Sequence, residues 1–256
     1  AGVAPDSSLL LKAAFGKAPT VVASTSVTYG VDDNVYYLDL YSYYQPDAAA
    51  YNRCAFGSIV DEAMFEFGGD FGLMNFRGPA YWVIDAAQIA DGATPSEAKG
   101  GLSSFPARPS APVLNGSAAT GYEGSITIDG DTYGDIVGGT ISCKFNRSLP
   151  PAFNNSFPGC PQAGTRQITI SNFRMLLAQS ADLAALLVKV NAGTPVPVVI
   201  TIGSTAGNRW EFTMGTVKLP VPRSDDSGQR VALDFSGATC YASTSTAKDE
   251  ISLRIY

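Results

Sequence analysis

Histidine is absent from this sequence of 256 residues. Its imidazole is the general base of Ser-His-Asp and Cys-His catalytic sites and the commonest metal ligand in proteins. Every catalytic or metal site that depends on histidine is therefore excluded. Whatever chemistry the chain performs must come from other side chains.

Charged residues are also scarce, at 16% of the chain against about a quarter in a typical soluble domain. The formal net charge is −6 and no basic run occurs, which argues against a protein that holds nucleic acid through its phosphates. No run of 18 apolar residues is present, so we expect no membrane-spanning segment and no membrane partner. Residues 1–6 lack the basic and apolar regions of a secretory signal.

The four cysteines are too few and too widely spaced for a CxxC metal site or a dense disulfide framework. They are Cys54, Cys143, Cys160 and Cys240. Because an unpaired cysteine behaves as a small hydrophobic residue, we expect all four to be buried free thiols.

Glycine (26), tyrosine (12) and phenylalanine (13) are plentiful, which is typical of β-structure with many turns. We predict an all-β fold in one domain over residues 1–256, with a long connector rich in Ala, Pro, Gly and Ser at 86–120. An alternative is a pair of similar β-halves, 20–95 and 121–256, because SIVDEAMFEF and IVGGTISCKF share a loose pattern.

Two helices are expected beside the strands. A short N-terminal helix over residues 7–15 ends at Gly16. A second helix near 180–192 begins at Ser180 and ends at Gly193, and its apolar residues recur at helical spacing. Those apolar residues are Leu183, Leu186, Leu187 and Val190. One such stripe is what a helix needs to cover an open face of a sandwich or barrel.

Alternating apolar residues predict the strands. In GSIVDEAMFEF the side chains of Ile59, Ala63, Phe65 and Phe67 share one face with Asp61, whereas Glu62 points to the other. In SITIDGDTY, Asp129-Gly130 can hold both positive-φ positions of a type I′ turn, which predicts a β-hairpin.

Short matches to catalytic motifs lack their required partners. Asp70-Phe71-Gly72 occurs without the other kinase motifs, and residues 96–99 spell SxxK in the connector without the motifs of a penicillin-binding site. The acidic run 129–135 lacks the twelfth-position glutamate of an EF-hand, and Asp225-Asp226 is typical of a solvated turn. We therefore predict no catalytic, cofactor-binding or metal-binding residues, no cofactor, and a protein that is not an enzyme.

Clustered tyrosines are the remaining candidate binding feature. Strand alternation places Tyr37 and Tyr41 on one face and Tyr36 and Tyr44 on the other. They are compatible with a carbohydrate-binding platform, or with tyrosines that pack a sheet and a seam between subunits.

Four stretches of this chain resemble the tail tube proteins of long-tailed, siphovirus-like bacteriophages. They are the opening SSLLLKAAFG, the pair GSIVDEAMFEF and LMNFRGPAYWV, the turn GSTAGNRWEFTM with VKLPVP, and the terminal DEISLRIY. The resemblance is strongest at the end of the chain, and the excursion at 146–164 has no counterpart in the family pattern.

The resemblance implies a β-sandwich or small barrel with a flanking helix, whose copies form rings that stack into the tail tube. It implies rings that are usually hexameric, and it leaves open whether a ring contains six single copies or three duplicated ones. It implies contacts with tape measure, tail terminator and distal tail proteins, phage DNA that passes through the lumen without specific binding, and a location in the virion after synthesis in the bacterial cytoplasm. The loops 45–56 and 146–164 and the two termini are the candidate contacts between rings.

The alternative function is an extracellular β-sandwich module that binds carbohydrate through its tyrosines. Tubes formed by the purified protein favour the first function, and sugar binding that depends on a tyrosine favours the second.

Overall fold

A computed structural model describes the protein over most of its length. The described residues are 5, 7–44, 51–68, 72–91, 101–109, 119, 121–133, 136–150, 160–177, 181–204, 207–225 and 231–256. The motifs at 70–71, 96–99 and 226, and part of each candidate contact loop, lie outside these ranges.

Strands dominate the described residues, with three α-helices beside them. The helices are α1 (Ser8–Phe15), α2 (Ala86–Ala90) and α3 (Ala181–Asn191). The strands of the first half are β1 (Thr20–Val22), β2 (Ser26–Gly30), β3 (Leu38–Ser42), β4 (Arg53–Ser58), β5 (Glu62–Gly68), β6 (Leu73–Arg77) and β7 (Trp82–Asp85). Those of the second half are β8 (Ser125–Ile128), β9 (Asp131–Tyr133), β10 (Ile136–Lys144), β11 (Gln167–Leu176), β12 (Val196–Ile202), β13 (Trp210–Lys218), β14 (Arg223–Asp225), β15 (Ala232–Asp234), β16 (Ala238–Cys240) and β17 (Ser252–Ile255).

Fourteen of the described strands form one antiparallel sheet. Its main path runs β1-β2-β17-β13-β16-β11-β10-β5-β6, and β12, β8 and β9 continue from the other edge of β13. The sheet folds over on itself, because the rings of Phe65 on β5 and Phe212 on β13 meet with centroids 4.9 Å apart. The two layers thus stack face to face around a buried core, as in a β-sandwich. Within the described part the path does not close, so of the predicted sandwich or barrel the structure supports the sandwich.

Strands from both sides of the 86–120 segment join in this sheet. Thus β5 pairs with β10 along seven registered residue pairs, and β2 pairs with β17. The segments 20–95 and 121–256 of the two-half alternative therefore share hydrogen-bonded ladders in one sheet.

Both predicted helices form. The first begins one residue later than expected and ends at Gly16, which has a φ of 76° and donates its N–H to the carbonyl of Lys12. The alternation predicted for residues 59–67 is confirmed within β5, where Ala63, Phe65 and Phe67 are buried. It does not hold before the strand, since Ile59 and Val60 are both buried and only Val60 joins the main core. In α3, the predicted stripe buries Leu183, Leu186 and Val190, whereas Leu187 is partly buried. Its predicted cap, residue 180, is outside the described ranges. The hairpin turn is confirmed as well, since Asp129 and Gly130 have φ values of 57° and 94°.

A second, smaller sheet, β3-β4-β7, carries its own apolar cluster. Cys54, Phe56 and Ile84 pack there against Ile89 of α2. The predicted connector therefore begins with a helix, which corrects the expectation for 86–90. The cause is a capping box, in which Asp85 accepts from the N–H of Gln88 at 2.9 Å and the Gln88 side chain accepts from the N–H of Asp85 at 3.0 Å. Residues 101–109 contain no helix or strand.

Candidate functional site: two open sheet edges

The first strand of the large sheet is an open edge. Strand β1 pairs with β2 from Thr20↔Thr28 to Val22↔Ser26 and has no second neighbour among the described strands. Val21 and Val22 are 51% and 48% exposed, although they are the β-branched residues that normally pack in sheets. An edge of this kind presents unpaired backbone N–H and C=O groups beside bare apolar side chains.

The last strand of the same path is a second open edge, and the side branches of the sheet end at β9 and β14, which also have one described neighbour each. Strand β6 pairs with β5 from Glu62↔Arg77 to Glu66↔Leu73, and no described strand lies on its other side. Leu73 is 53% exposed. The two open edges therefore lie at opposite ends of one strand path, so a head-to-tail contact between copies would use two different surfaces of the chain.

An apolar groove borders β6. The small sheet places Leu40, Ala55 and Val83 in one row across β3, β4 and β7, and Val83 is 63% exposed. These side chains and those of Ile59 and Phe76 line a groove of about 450 Å³. A strand added to the β6 edge would therefore lie next to apolar surface.

The beginning of the 146–164 loop is tied to the core by a buried cation. The guanidinium group of Arg147 donates to the carbonyls of Ala13 at 2.5 Å, Val60 at 2.9 Å and Asn34 at 3.3 Å. Since Ala13 lies in the last turn of α1, its carbonyl has no partner within the helix and the arginine supplies one. Burial lowers the pKa of Arg147 to about 10. Sequence reasoning missed this residue, because an arginine in a polar loop carries no local signal of burial.

Beyond the other end of the loop, five charged side chains form a network. Arg166 pairs with Glu250 at 2.9 Å and contacts Asp33, and Lys248 pairs with Asp32 at 2.5 Å and Asp33 at 2.9 Å. Hydrogen bonds from Lys248 are the main cause that lowers the pKa of both aspartates. The described ends of the predicted contact loop are thus fixed to the body of the protein.

Two of the other candidate contacts are placed differently from the prediction. The loop 45–56 ends earlier than expected, because β4 begins at Arg53. The terminal strand β17 lies inside the sheet between β2 and β13. The ring of Tyr256 is stacked between the guanidinium groups of Arg209 and Arg254, at 4.4 and 4.6 Å, and its hydroxyl donates to Glu211 at 3.0 Å.

The clustered tyrosines do not form one platform. Tyr41 packs edge-on against Phe56 and Phe105 in the second cluster. Tyr37 instead contacts Tyr81, with ring centroids 5.5 Å apart and hydroxyl oxygens 2.7 Å apart. Partial burial and then the Tyr81 hydroxyl raise the pKa of Tyr37. Tyr37 and Tyr44 are 45% and 47% exposed, and Tyr81 beside Tyr37 is half-buried, so the ring surface that remains for a sugar is at Tyr37 and, separately, at Tyr44.

The thiols follow the prediction at three of four positions. Cys54, Cys143 and Cys240 are free and buried, whereas Cys160 is free and exposed. The expectation of four buried thiols was wrong at Cys160, which lies between prolines in a loop with no strand to bury it. Burial raises the pKa of Cys54 to about 11 and of Cys240 to about 12, so these two are weakly nucleophilic.

Acidic residues singled out in the sequence serve the fold. Asp129 lies in the β8–β9 turn and pairs with Lys189 of α3. Asp61 accepts a hydrogen bond from the backbone N–H of Arg147 at 2.5 Å. Across the described ranges, no three Cys, Asp or Glu residues are arranged to hold a metal ion, and no helix is long and apolar enough to cross a membrane.

No protein-family model matches the chain, and no curated protein matches it.

Proposed function

We propose that this protein is a structural subunit that assembles with copies of itself into stacked rings, the tail tube of a long-tailed bacteriophage. The proposal combines the resemblance of four sequence stretches with one observation, the pair of open edges at β1 and β6. Phage DNA passes through the lumen, and tape measure, terminator and distal tail proteins are the neighbouring partners.

The β1 edge carries the proposal because a monomer gains nothing from it. Burying apolar surface stabilises by about 25 cal/mol per Å², yet Val21 and Val22 leave about half of their surfaces in water. A sister strand alongside β1 would pair the open backbone groups and cover both side chains. Natural monomers blunt such edges with very short strands, lysine, proline or a bulge. Strand β1 is only three residues long and follows Pro19, but it has no lysine, proline or bulge of its own.

Electrostatics sets the conditions for assembly. Each copy carries −6, so neighbouring copies repel one another in dilute buffer. The Debye length falls from about 30 Å at 0.01 M salt to about 8 Å at 0.15 M. We therefore expect tubes to form more readily at physiological salt than at low salt.

The test is negative-stain electron microscopy of the purified full chain, with light scattering over a range of salt and concentration. Wild-type protein is expected to form hollow tubes. Val21→Lys, which places a charge on the β1 edge, is expected to remain monomeric with an unchanged circular dichroism spectrum. Val188→Lys is the matched control, since Val188 is 70% exposed on α3 and belongs to neither edge strand.

Two results would count against the proposal in different ways. Wild-type protein that stays monomeric under all conditions would exclude self-assembly. Tubes formed equally well by Val21→Lys and Val188→Lys would show that assembly does not use β1.

Carbohydrate binding is the second candidate, favoured by the exposed ring of Tyr37, which packs beside the half-buried Tyr81. Glycan-array binding that is lost in Tyr37→Ala and kept in Tyr241→Ala, by a wild-type protein that forms no tubes, would support it. Tyr41 is unsuitable for this test, because it packs against Phe56 and Phe105 and its truncation would disturb the second cluster.

A further inference from the structure

A cavity of about 280 Å³ lies between the two layers of the sandwich at one end. The end of β5 and the start of β10 border it on one side, and β8 and β12 border it on the other. Its apolar walls include Phe67, Ile126, Ile200 and Ile202, all of which are buried. The exposed Val137 also lines it, so the cavity is partly open to solvent, and none of its lining residues belongs to β1 or β6.

A β-bulge borders this space. Register shifts on both sides of Gly138 interrupt the β10–β11 ladder. Gly138 has a φ of 152°, and a Cβ there would lie 2.6 Å from the carbonyl oxygen of Phe67. Only glycine fits this position, so no side chain from Gly138 enters the cavity. Gly68, Gly121 and Gly124 also line it without side chains.

One polar side chain on the cavity wall lacks a partner. The hydroxyl oxygen of Tyr133 is buried and makes no hydrogen bond within the described part of the chain. A buried hydroxyl without a partner costs on the order of 1–3 kcal/mol, so native proteins rarely retain one. A group that accepts a hydrogen bond inside the cavity would satisfy it.

The charges near Tyr133 determine which kind of acceptor can bind in the cavity. Burial, and then the carboxylates of Asp131, Asp182 and Asp129, raise the pKa of Tyr133. The phenol therefore stays protonated at neutral pH and serves as a donor. Three nearby carboxylates disfavour an anion in the cavity, which leaves a neutral acceptor.

We propose that this cavity binds a neutral small molecule that has an apolar body and one carbonyl or ether oxygen, which accepts a hydrogen bond from Tyr133. The volume is close to the lower limit of about 300 Å³ for ligand pockets, so the ligand is the size of a single substituted ring. The site does not depend on the proposed assembly function.

Saturation-transfer NMR with acetophenone tests the proposal on the full chain, because the method works for monomers and for large assemblies. Acetophenone has an aromatic ring and one carbonyl acceptor. Wild-type protein is expected to bind it saturably, and Tyr133→Phe is expected to weaken binding roughly fivefold, the loss of one neutral hydrogen bond. Tyr241→Phe, at an exposed tyrosine elsewhere, is the matched control and should bind as wild type does.

Ethylbenzene has a similar shape without the acceptor, and its binding should be equal in wild type and Tyr133→Phe. A signal that does not saturate with acetophenone would overturn the proposal. So would equal acetophenone affinities for wild type and Tyr133→Phe, or an experimental structure in acetophenone that shows only ordered water in the cavity.

Discussion

Removal of the Arg147 guanidinium group is expected to be among the most destabilising single changes in this chain. Its three carbonyl partners belong to α1, to the segment before β5 and to the segment before β3. One side chain therefore joins three parts of the sequence that are far apart. Arg147→Met keeps most of the apolar stem and removes only the charged donors.

Two opposing effects determine the magnitude. Hydrogen bonds from a charged donor contribute about 1.5 kcal/mol or more each, so three of them contribute on the order of 4–5 kcal/mol. Burying the cation costs part of this gain, as the lowered pKa of about 10 indicates. Because the variant leaves the carbonyls of Ala13 and Val60 buried without a donor, we expect a net loss of about 3 kcal/mol.

Urea unfolding followed by the fluorescence of Trp82 and Trp210 measures this loss. Arg147→Lys should lie between wild type and Arg147→Met, since an ammonium group is a smaller donor that cannot reach all three carbonyls. The control is Arg77→Met, because the Arg77 side chain is 70% exposed and its 3.9 Å contact with Glu62 is a surface ion pair. A stability of Arg147→Met within 1 kcal/mol of wild type would refute the argument that the guanidinium holds these segments together.

Two further predictions concern the network and the turns around it. Lys248 lowers the pKa of Asp32 and Asp33 in the folded protein. The ion pairs therefore stabilise the fold fully above the unfolded-state pKa of about 3.9. This stabilisation is lost as pH falls through the lower pKa values of the folded state. The difference in melting temperature between wild type and Lys248→Met should therefore shrink as pH falls below about 4. Gly16→Ala should destabilise by more than Gly130→Ala, because both have positive φ but a Cβ at Gly16 would lie 2.4 Å from the carbonyl oxygen of Asp32, whereas none lies within 4 Å at Gly130. Urea unfolding should show a loss of roughly 1–2 kcal/mol at Gly130 and a larger one at Gly16.

Each of these predictions has its own control. Lys218→Met, at an exposed position of β13, should change stability by the same small amount at all pH values. A Lys248→Met difference that stays constant from pH 7 to pH 2 would show that the ion pairs with Asp32 and Asp33 do not stabilise the fold. Equal losses for Gly16→Ala and Gly130→Ala would show that backbone strain, and not the approach of the carbonyl, limits position 16.

Local patterns were sufficient for the elements whose contacts lie close in sequence. The leucine stripe of α3, the glycine end of α1 and the Asp129-Gly130 turn follow from side-chain spacing and backbone conformation within a few residues. The alternation from Ala63 to Phe67 likewise identified the buried face of β5. The sequence did not predict helix α2, because a five-residue helix is too short to show an apolar period. Its capping box is the only local signal for it.

Tertiary structure alone decided how these elements combine. The open edges at β1 and β6 exist because of which strands pair, and pairings such as β5 with β10 and β2 with β17 join residues that are far apart in the chain. Arg147 is buried and Cys160 is exposed for the same reason, since burial depends on what the rest of the chain places around a residue. The sequence by itself determined the local geometry and the absence of histidine chemistry. Backbone pairing over long distances determined which strand edges remain open.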